Sequence, residues 1–348
     1  MPTQPAVVHY ALEPLAVELR EISVPDIEDD DVLLRVGAVS VCGSDIHQAR
    51  NTHSWAVNVP VVLGHEFGGT VARIGRAVRG FREGDRVVSE TAARICGDCL
   101  MCRSGRYNLC PSRKGFGYGV DGAMAQWVRV PARCLHRIPD TLPFDIACLA
   151  EPHAVAYNAM CVNSTIRPGD TVVVLGPGPI GLLCARMAAL CGANLLVAGL
   201  TGDRARLEAA MRLGATRTVD VQKEERGEVV RSASPIGADL VCDASGASRP
   251  LEIALRITRP DGQVTKVGWS PDKVAVDVNP LVQGNIRLQG SFSHNYPVWE
   301  RVIQLLNRGV TLPDVIIGLR APLEGWREAF DAMHDGRVIK SVLVPAVG

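Results

Sequence analysis

The hydrophobic pattern divides the chain into two stretches of different period. Between residues 5 and 41, apolar and polar positions alternate, as in Val7-Val8-His9-Tyr10, Val17-Glu18-Leu19-Arg20 and Val32-Leu33-Leu34-Arg35-Val36. This period of two predicts half-buried strands, with Pro25 and the acidic cluster Glu28 to Asp31 as interruptions. Short-strand character continues over 68–74 and 85–88, and resumes over 127–130 and 136–138, with glycines marking turns. At Arg167-Pro168-Gly169-Asp170 the pattern changes. Residues 171–175 are continuously apolar and β-branched, as a strand buried on both faces requires. Further strands are predicted over 195–198, 216–219, 239–242, 263–267 and 286–290. Helices are predicted over 182–191, 204–213, 224–231, 250–257 and 298–308. Strands alternating with helices predict an α/β region with a doubly wound parallel sheet. The tail adds an amphipathic helix over 323–335 and a strand over 338–344, which suit the first stretch better than a further unit of the second.

Composition changes this picture little. A chain of 348 residues exceeds one typical core, so two domains are expected. Zero formal net charge argues against nucleic acid or an acidic membrane surface as partner. The start, Met1-Pro2-Thr3-Gln4, lacks the positive and apolar regions of a secretory leader, and no apolar run reaches the roughly 20 residues of a membrane helix. The expected location is the cytoplasm. There, eleven cysteines point to metal binding or packing before disulfides.

The candidate chemistry begins at residues 42–66. Cys42-Gly43-Ser44-Asp45-Ile46-His47 and Gly64-His65-Glu66 supply a thiol, imidazoles and carboxylates. Soft sulfur, imidazole nitrogen and carboxylate oxygen together suit a zinc site with an open position, which is a catalytic site. The competing reading is a buried Cys, a surface His and a solvated Glu. Further on, Cys96, Cys99, Cys102 and Cys110 can close around one zinc, which would then be structural. An iron–sulfur cluster or free thiols are the alternatives. Residues 115–122, rich in glycine and aromatics, would line a cleft or turn between strands. Gly176-Pro177-Gly178-Pro179-Ile180-Gly181 follows a predicted strand and opens a helix. That context makes G-x-G-x-x-G a dinucleotide fingerprint, with Gly176 for the turn, Gly178 for approach to a pyrophosphate and Gly181 for helix–strand packing.

With these motifs in order, and with Glu151-Pro152 between them, the chain resembles the zinc-containing medium-chain dehydrogenases, polyol (sorbitol, threonine) branch. The resemblance implies a GroES-like catalytic domain from residues 1–155 and 294–348, around a Rossmann domain of residues 156–293. It implies two zinc ions per chain: a catalytic one on Cys42, His65, Glu66 and Glu151, and a structural one on Cys96, Cys99, Cys102 and Cys110. Ser44 then contacts the substrate alcohol, His47 ends a proton relay, and Asp45 holds the second nitrogen of His65. The implied reaction is hydride transfer between a secondary alcohol or polyol and NAD or NADP, giving the ketone. A small-molecule substrate and a homo-oligomer follow from the same kinship. A primary alcohol dehydrogenase or aldehyde reductase on the same scaffold, or a non-catalytic cofactor-binding relative, are the alternatives. Two departures stand out. Ser291-Phe292-Ser293-His294-Asn295-Tyr296 lacks the arginine common in the polyol branch, with Phe116, Tyr118 and His294 as candidate pocket residues. Leu200 replaces the acidic residue expected to hold the adenosine ribose. Asp203 could restore that contact or cap the next helix. Thr201, Arg204 or Arg206 could instead meet a 2′-phosphate, and the balance leans slightly to NAD.

Overall fold

In the computed structural model of the chain, residues 2–247, 249–269 and 273–346 are described. The contacts divide them into two units. One runs to Glu151 and resumes at His294; the other spans Pro152–Ser293.

The second unit is built on six parallel strands. In spatial order they are Arg217–Asp220, Asn194–Gly199, Thr171–Leu175, Ala238–Asp243, Thr258–Lys266 and Arg287–Gly290. The first strand in sequence is therefore central and the order reverses beside it, the arrangement of a Rossmann sheet. Val173 pairs in register with Leu196 on one side and Val241 on the other, and all three are buried. Burial on both faces explains the unbroken apolar run. The helix after the glycine turn spans Pro179–Leu190, starting three residues before the predicted bound. Proline at the first helical position loses no hydrogen bond and brings its φ already set. The helix predicted over 224–231 instead spans Arg226–Ala233, because Glu225 caps it by accepting from the Gly227 and Glu228 N–H groups at 3.0 and 2.7 Å.

In the first unit, a seven-stranded sheet carries Ile317–Pro322, Lys340–Val344, Asp31–Ser40, Glu66–Ile74, Arg86–Ser89 and Leu135–Arg137 in that order, and Trp127–Pro131 also pairs with Asp31–Ser40. A smaller sheet joins Thr3–His9 to Val17–Ser23 and Val61–Val62. The strand Ile317–Pro322 was not predicted. Its residues, Gly318 and Pro322 among them, alternate between half-buried and exposed. The tail strand pairs antiparallel with Asp31–Ser40, Val342 opposite Ser40. Thus the tail of the chain joins the sheet begun by Asp31–Ser40, over a core that includes Leu34, Val39, Leu63, Phe67, Met124 and Phe330. Among the described residues no helix is long and apolar enough to cross a membrane.

Phe116 belongs to this core rather than to a pocket. It is 1 % exposed and meets Phe67 edge-on at 5.3 Å. Phe116→Ala should therefore cost about 3–5 kcal/mol in chemical denaturation and leave KM near the wild-type value. A fall in substrate affinity with unchanged stability would contradict this assignment.

Candidate active site and cofactor turn

Strand ends and one short helix assemble the first site. Cys42 follows the strand Asp31–Ser40 and takes the N-cap position of the helix Gly43–Ala49, in extended conformation. Asp45, in the first turn, accepts the Cys42 N–H through Oδ2 at 2.9 Å. Its other oxygen faces His65 Nδ1 at 3.6 Å. One buried carboxylate thus orients both the thiol-bearing residue and the imidazole. His65 precedes the strand Glu66–Ile74 and reaches its place through Gly64, whose φ of +94° only glycine adopts easily. A Cβ there would lie 2.8 Å from Met124 Cγ and 2.9 Å from Val39 Cγ2.

Cys42, His65 and Glu66 each present a ligand atom within 4.8 Å of the others. Burial opposes a charged His65, but Asp45 and Cys42 outweigh it and hold the imidazole pKa well above the usual value. A metal binding at this imidazole must therefore displace a proton. Glu66 is fully buried. Its Oε2 accepts from Ser40 Oγ, and Lys340 Nζ lies 2.8 and 2.6 Å from its two oxygens. Burial alone would depress the Lys340 pKa, but the Glu66 carboxylate raises it, so the ammonium persists inside. Ser40 and Lys340 escape any reading of local motifs. The only signal is a lysine opening the strand Lys340–Val344, which is buried up to Leu343.

Glu151 lies outside that group of converging ligand atoms. It is buried, and its Oε1 is 3.0 Å from His294 Nε2. Burial would raise its pKa, but His294 and the nearby His65 hold it below the usual carboxylate value. His294, read as a pocket residue, is itself buried. Ser44 is half-buried beside Cys42. His47 lies one turn further along the same helix, exposed, with Nδ1 2.9 Å from Thr52 Oγ1.

Cys96, Cys99, Cys102 and Cys110 converge around the short helix Leu100–Arg103. Cys96 Sγ lies 3.8 Å from Cys102 Sγ and 3.6 Å from Cys110 Sγ. A tetrahedron with Zn–S bonds near 2.3 Å has edges of about 3.8 Å, so the thiols fit zinc. They are far too separated for a disulfide. Backbone N–H groups of Cys96, Cys99 and Cys102 each point at a neighbouring sulfur at 3.4 Å. The Cys96 N–H draws the Cys110 thiol down to about 7, whereas the Asp98 side chain pushes the Cys96 thiol up to about 12.

The second unit offers a cradle for a dinucleotide. Gly176 has φ +93°, and a Cβ on Gly181 would lie 1.9 Å from the Gly176 carbonyl oxygen. Above Gly178 a Cβ would meet nothing within 4 Å. Gly178 caps the helix Pro179–Leu190 without a side chain, which leaves first-turn N–H groups, including that of Ile180, for an anion. At the end of the next strand, Leu200 is exposed and its N–H donates to Asp203 Oδ2 at 2.9 Å. Asp203 thus bonds backward instead of capping the next helix, and Arg206 pairs with its Oδ1 at 3.2 Å. Thr201 Oγ1 donates to Asp220 at 2.8 Å, and the exposed Arg204 pairs with Glu208 at 3.0 Å.

Known proteins resemble this chain over nearly its whole length. Residues 28–140 match the family of alcohol dehydrogenase GroES-like domains, and residues 179–308 match that of zinc-binding dehydrogenases. The chain belongs to the zinc-binding medium-chain dehydrogenases, in their polyol branch, and is an NAD(P)-dependent alcohol oxidoreductase. It is 40% identical to D-arabitol-phosphate dehydrogenase of Enterococcus avium over 93% of this chain and 92% of the relative. Sorbitol dehydrogenase of Halalkalibacterium halodurans is 35% identical over 99% of this chain and 98% of that protein. A Sinorhizobium meliloti protein described as a zinc-binding dehydrogenase, solved with NADP bound, superposes with a TM-score of 0.91 at 29% identity, covering 99% of this chain and all of the other.

Two outcomes test the site. Elemental analysis should find two zinc ions per chain, falling to one in Cys99→Ala with a lower melting temperature, since a structural zinc contributes folding energy. An unchanged melting temperature would refute the structural role. Lys340→Met should cost about 3–5 kcal/mol, because it removes the cation that faces the buried Glu66 carboxylate. Denaturation curves coincident with wild type would show that the pair contributes nothing.

Proposed function

We propose that this enzyme oxidises a secondary alcohol or polyol to the ketone, with Cys42, His65, Glu66 and Glu151 holding a catalytic zinc and the four-cysteine lobe a structural one. The observation that carries this reading is the convergence of a thiol, an imidazole and a carboxylate within 4.8 Å. In this reading residues 1–155 and 294–348 form the catalytic domain, and residues 156–293 bind the cofactor through the glycine turn.

Zinc supplies Lewis acidity that lowers the pKa of the alcohol, and the nicotinamide supplies the hydride acceptor. The protein's own residues handle the proton. Ser44 takes it from the substrate hydroxyl and passes it toward His47, its i+3 neighbour on the helix face. Partial burial, with the adjacent His334 and His53, holds the His47 pKa below the usual histidine value. The ring is therefore neutral at pH 7 and able to accept. Thr52 fixes its orientation, and exposure gives the proton a route to water.

The polyol assignment draws on kinship with the arabitol-phosphate and sorbitol enzymes and on Glu151 where ethanol-type members carry cysteine. For the cofactor we propose weak discrimination with a slight lean to NAD, because Arg206 already offsets the charge of Asp203. The enzyme acts in the cytoplasm as a homo-oligomer. An apolar Leu288, exposed on the sheet's edge strand Arg287–Gly290, supports association.

A screen of polyols, polyol phosphates, amino alcohols and simple alcohols, read by nicotinamide absorbance, tests the substrate class. Turnover confined to primary alcohols would overturn it. Ser44→Ala should lower the rate about 100- to 10,000-fold with little change in cofactor affinity; near wild-type turnover would refute the relay. The acid limb of the alcohol-oxidation profile should lie below pH 6.5 and vanish in His47→Asn, since protonating His47 removes the acceptor. A limb unmoved by that substitution would assign it to another group. If Asp203 and Arg204 steer cofactor choice, alanine at either should shift the ratio of kcat/KM for NAD and NADP, in opposite directions. Unchanged ratios would exclude both as selectors.

A further inference from the structure

Glu151 is gripped by a histidine whose proton has only one place to be. Trp299 Nε1 lies 2.7 Å from His294 Nδ1. An indole N–H can only donate, so Nδ1 accepts. The imidazole proton then sits on Nε2 and points at Glu151 Oε1, 3.0 Å away. The ring is fixed in direction, Nδ1 committed to the indole and Nε2 to the carboxylate. His294, Glu151 and Trp299 are all buried, and Trp299 stacks nearly flat on the buried His136, centroids 5.4 Å apart. The turn bearing His294 is anchored to the four-cysteine lobe at two points. Asn295 Nδ2 donates to the Gly105 carbonyl at 3.0 Å, and the Tyr296 N–H donates to Tyr107 Oη at 2.7 Å.

We propose that His294 is a positioning residue for Glu151, occupying Oε1 so that Oε2 is the oxygen offered to the catalytic metal. The inference rests on the reading of Glu151 as a ligand. The choice of donor has a physical reason. A charged donor would compete with a metal for the carboxylate, whereas a neutral N–H fixes its orientation and leaves its negative charge available. The contrast with Glu66, which faces the Lys340 ammonium, is direct. The lobe acquires a second task, because its loop holds the turn that carries the donor.

The test is zinc competition between the holoenzyme and a chromogenic chelator, with the four-cysteine zinc as internal reference. His294→Leu should weaken the catalytic-site zinc about 10- to 100-fold and leave the four-cysteine zinc in place. His294→Gln, which keeps an N–H donor, should recover part of the loss. Glu151→Ala should weaken the same zinc, and His294→Leu should add nothing in that background, since the histidine acts only through the carboxylate. Should His294→Leu not fold, His294→Asn, too short to reach Oε1, replaces it. Wild-type zinc affinity in the His294 variant, or an equal additional loss on top of Glu151→Ala, would overturn the proposal while Glu151 remained a ligand. Wild-type affinity in Glu151→Ala would overturn the ligand reading and this inference together.

Discussion

The first unit depends on a lysine brought into its interior from the far end of the chain. Lys340 stands 274 positions from Glu66 in sequence, yet their charged groups are in contact and both are sealed from water. Either charge alone in that place would cost several kcal/mol. The pair is tolerable only because the register is fixed on both sides. Ser40 lies opposite Glu66 in one ladder and opposite Val342 in the next. A slip of one residue in the tail strand would turn Lys340 to the other face and strand the carboxylate. The fold of this unit is therefore not complete when its first 151 residues have emerged. Its last strand completes the sheet and supplies the counter-charge of the site at once.

This explains what could and could not be read from the chain. The central parallel strands were legible because burial on both faces leaves a local signature, an apolar β-branched run such as Thr171–Leu175. The cysteine lobe and the glycine turn were legible because their geometry is set by short spacings: Cys96, Cys99 and Cys102 surround one short helix, and Gly176, Gly178 and Gly181 one turn. Ser40, Lys340 and His294 were not legible in their roles, because their partners are chosen by sheet register and by a turn 143 residues beyond Glu151. Phe116 misled for a related reason. Its glycine-rich surroundings suggest a mobile surface loop, but those glycines let the segment lie close against Gly64 and carry the ring under Phe67.

The two candidate zinc sites differ in how negative charge around the metal is managed. In the lobe, four sulfurs surround the site and backbone N–H groups share their excess charge. A metal so enclosed is a weak Lewis acid without an open position, which suits a clasp. With the ligand set proposed for the other site, the Cys42 thiolate and two carboxylates would burden a zinc ion with more negative charge than it carries. A metal in that condition polarises an alcohol poorly. In that set Lys340, 2.8 and 2.6 Å from the two Glu66 oxygens, would offset one unit, so that thiolate, carboxylates, ammonium and metal would sum to neutrality. His294 leaves Glu151 its charge while fixing its direction. The two carboxylates are thus held by an ammonium in one case and an imidazole N–H in the other, and with that ligand set the asymmetry would preserve a metal's pull on a substrate oxygen.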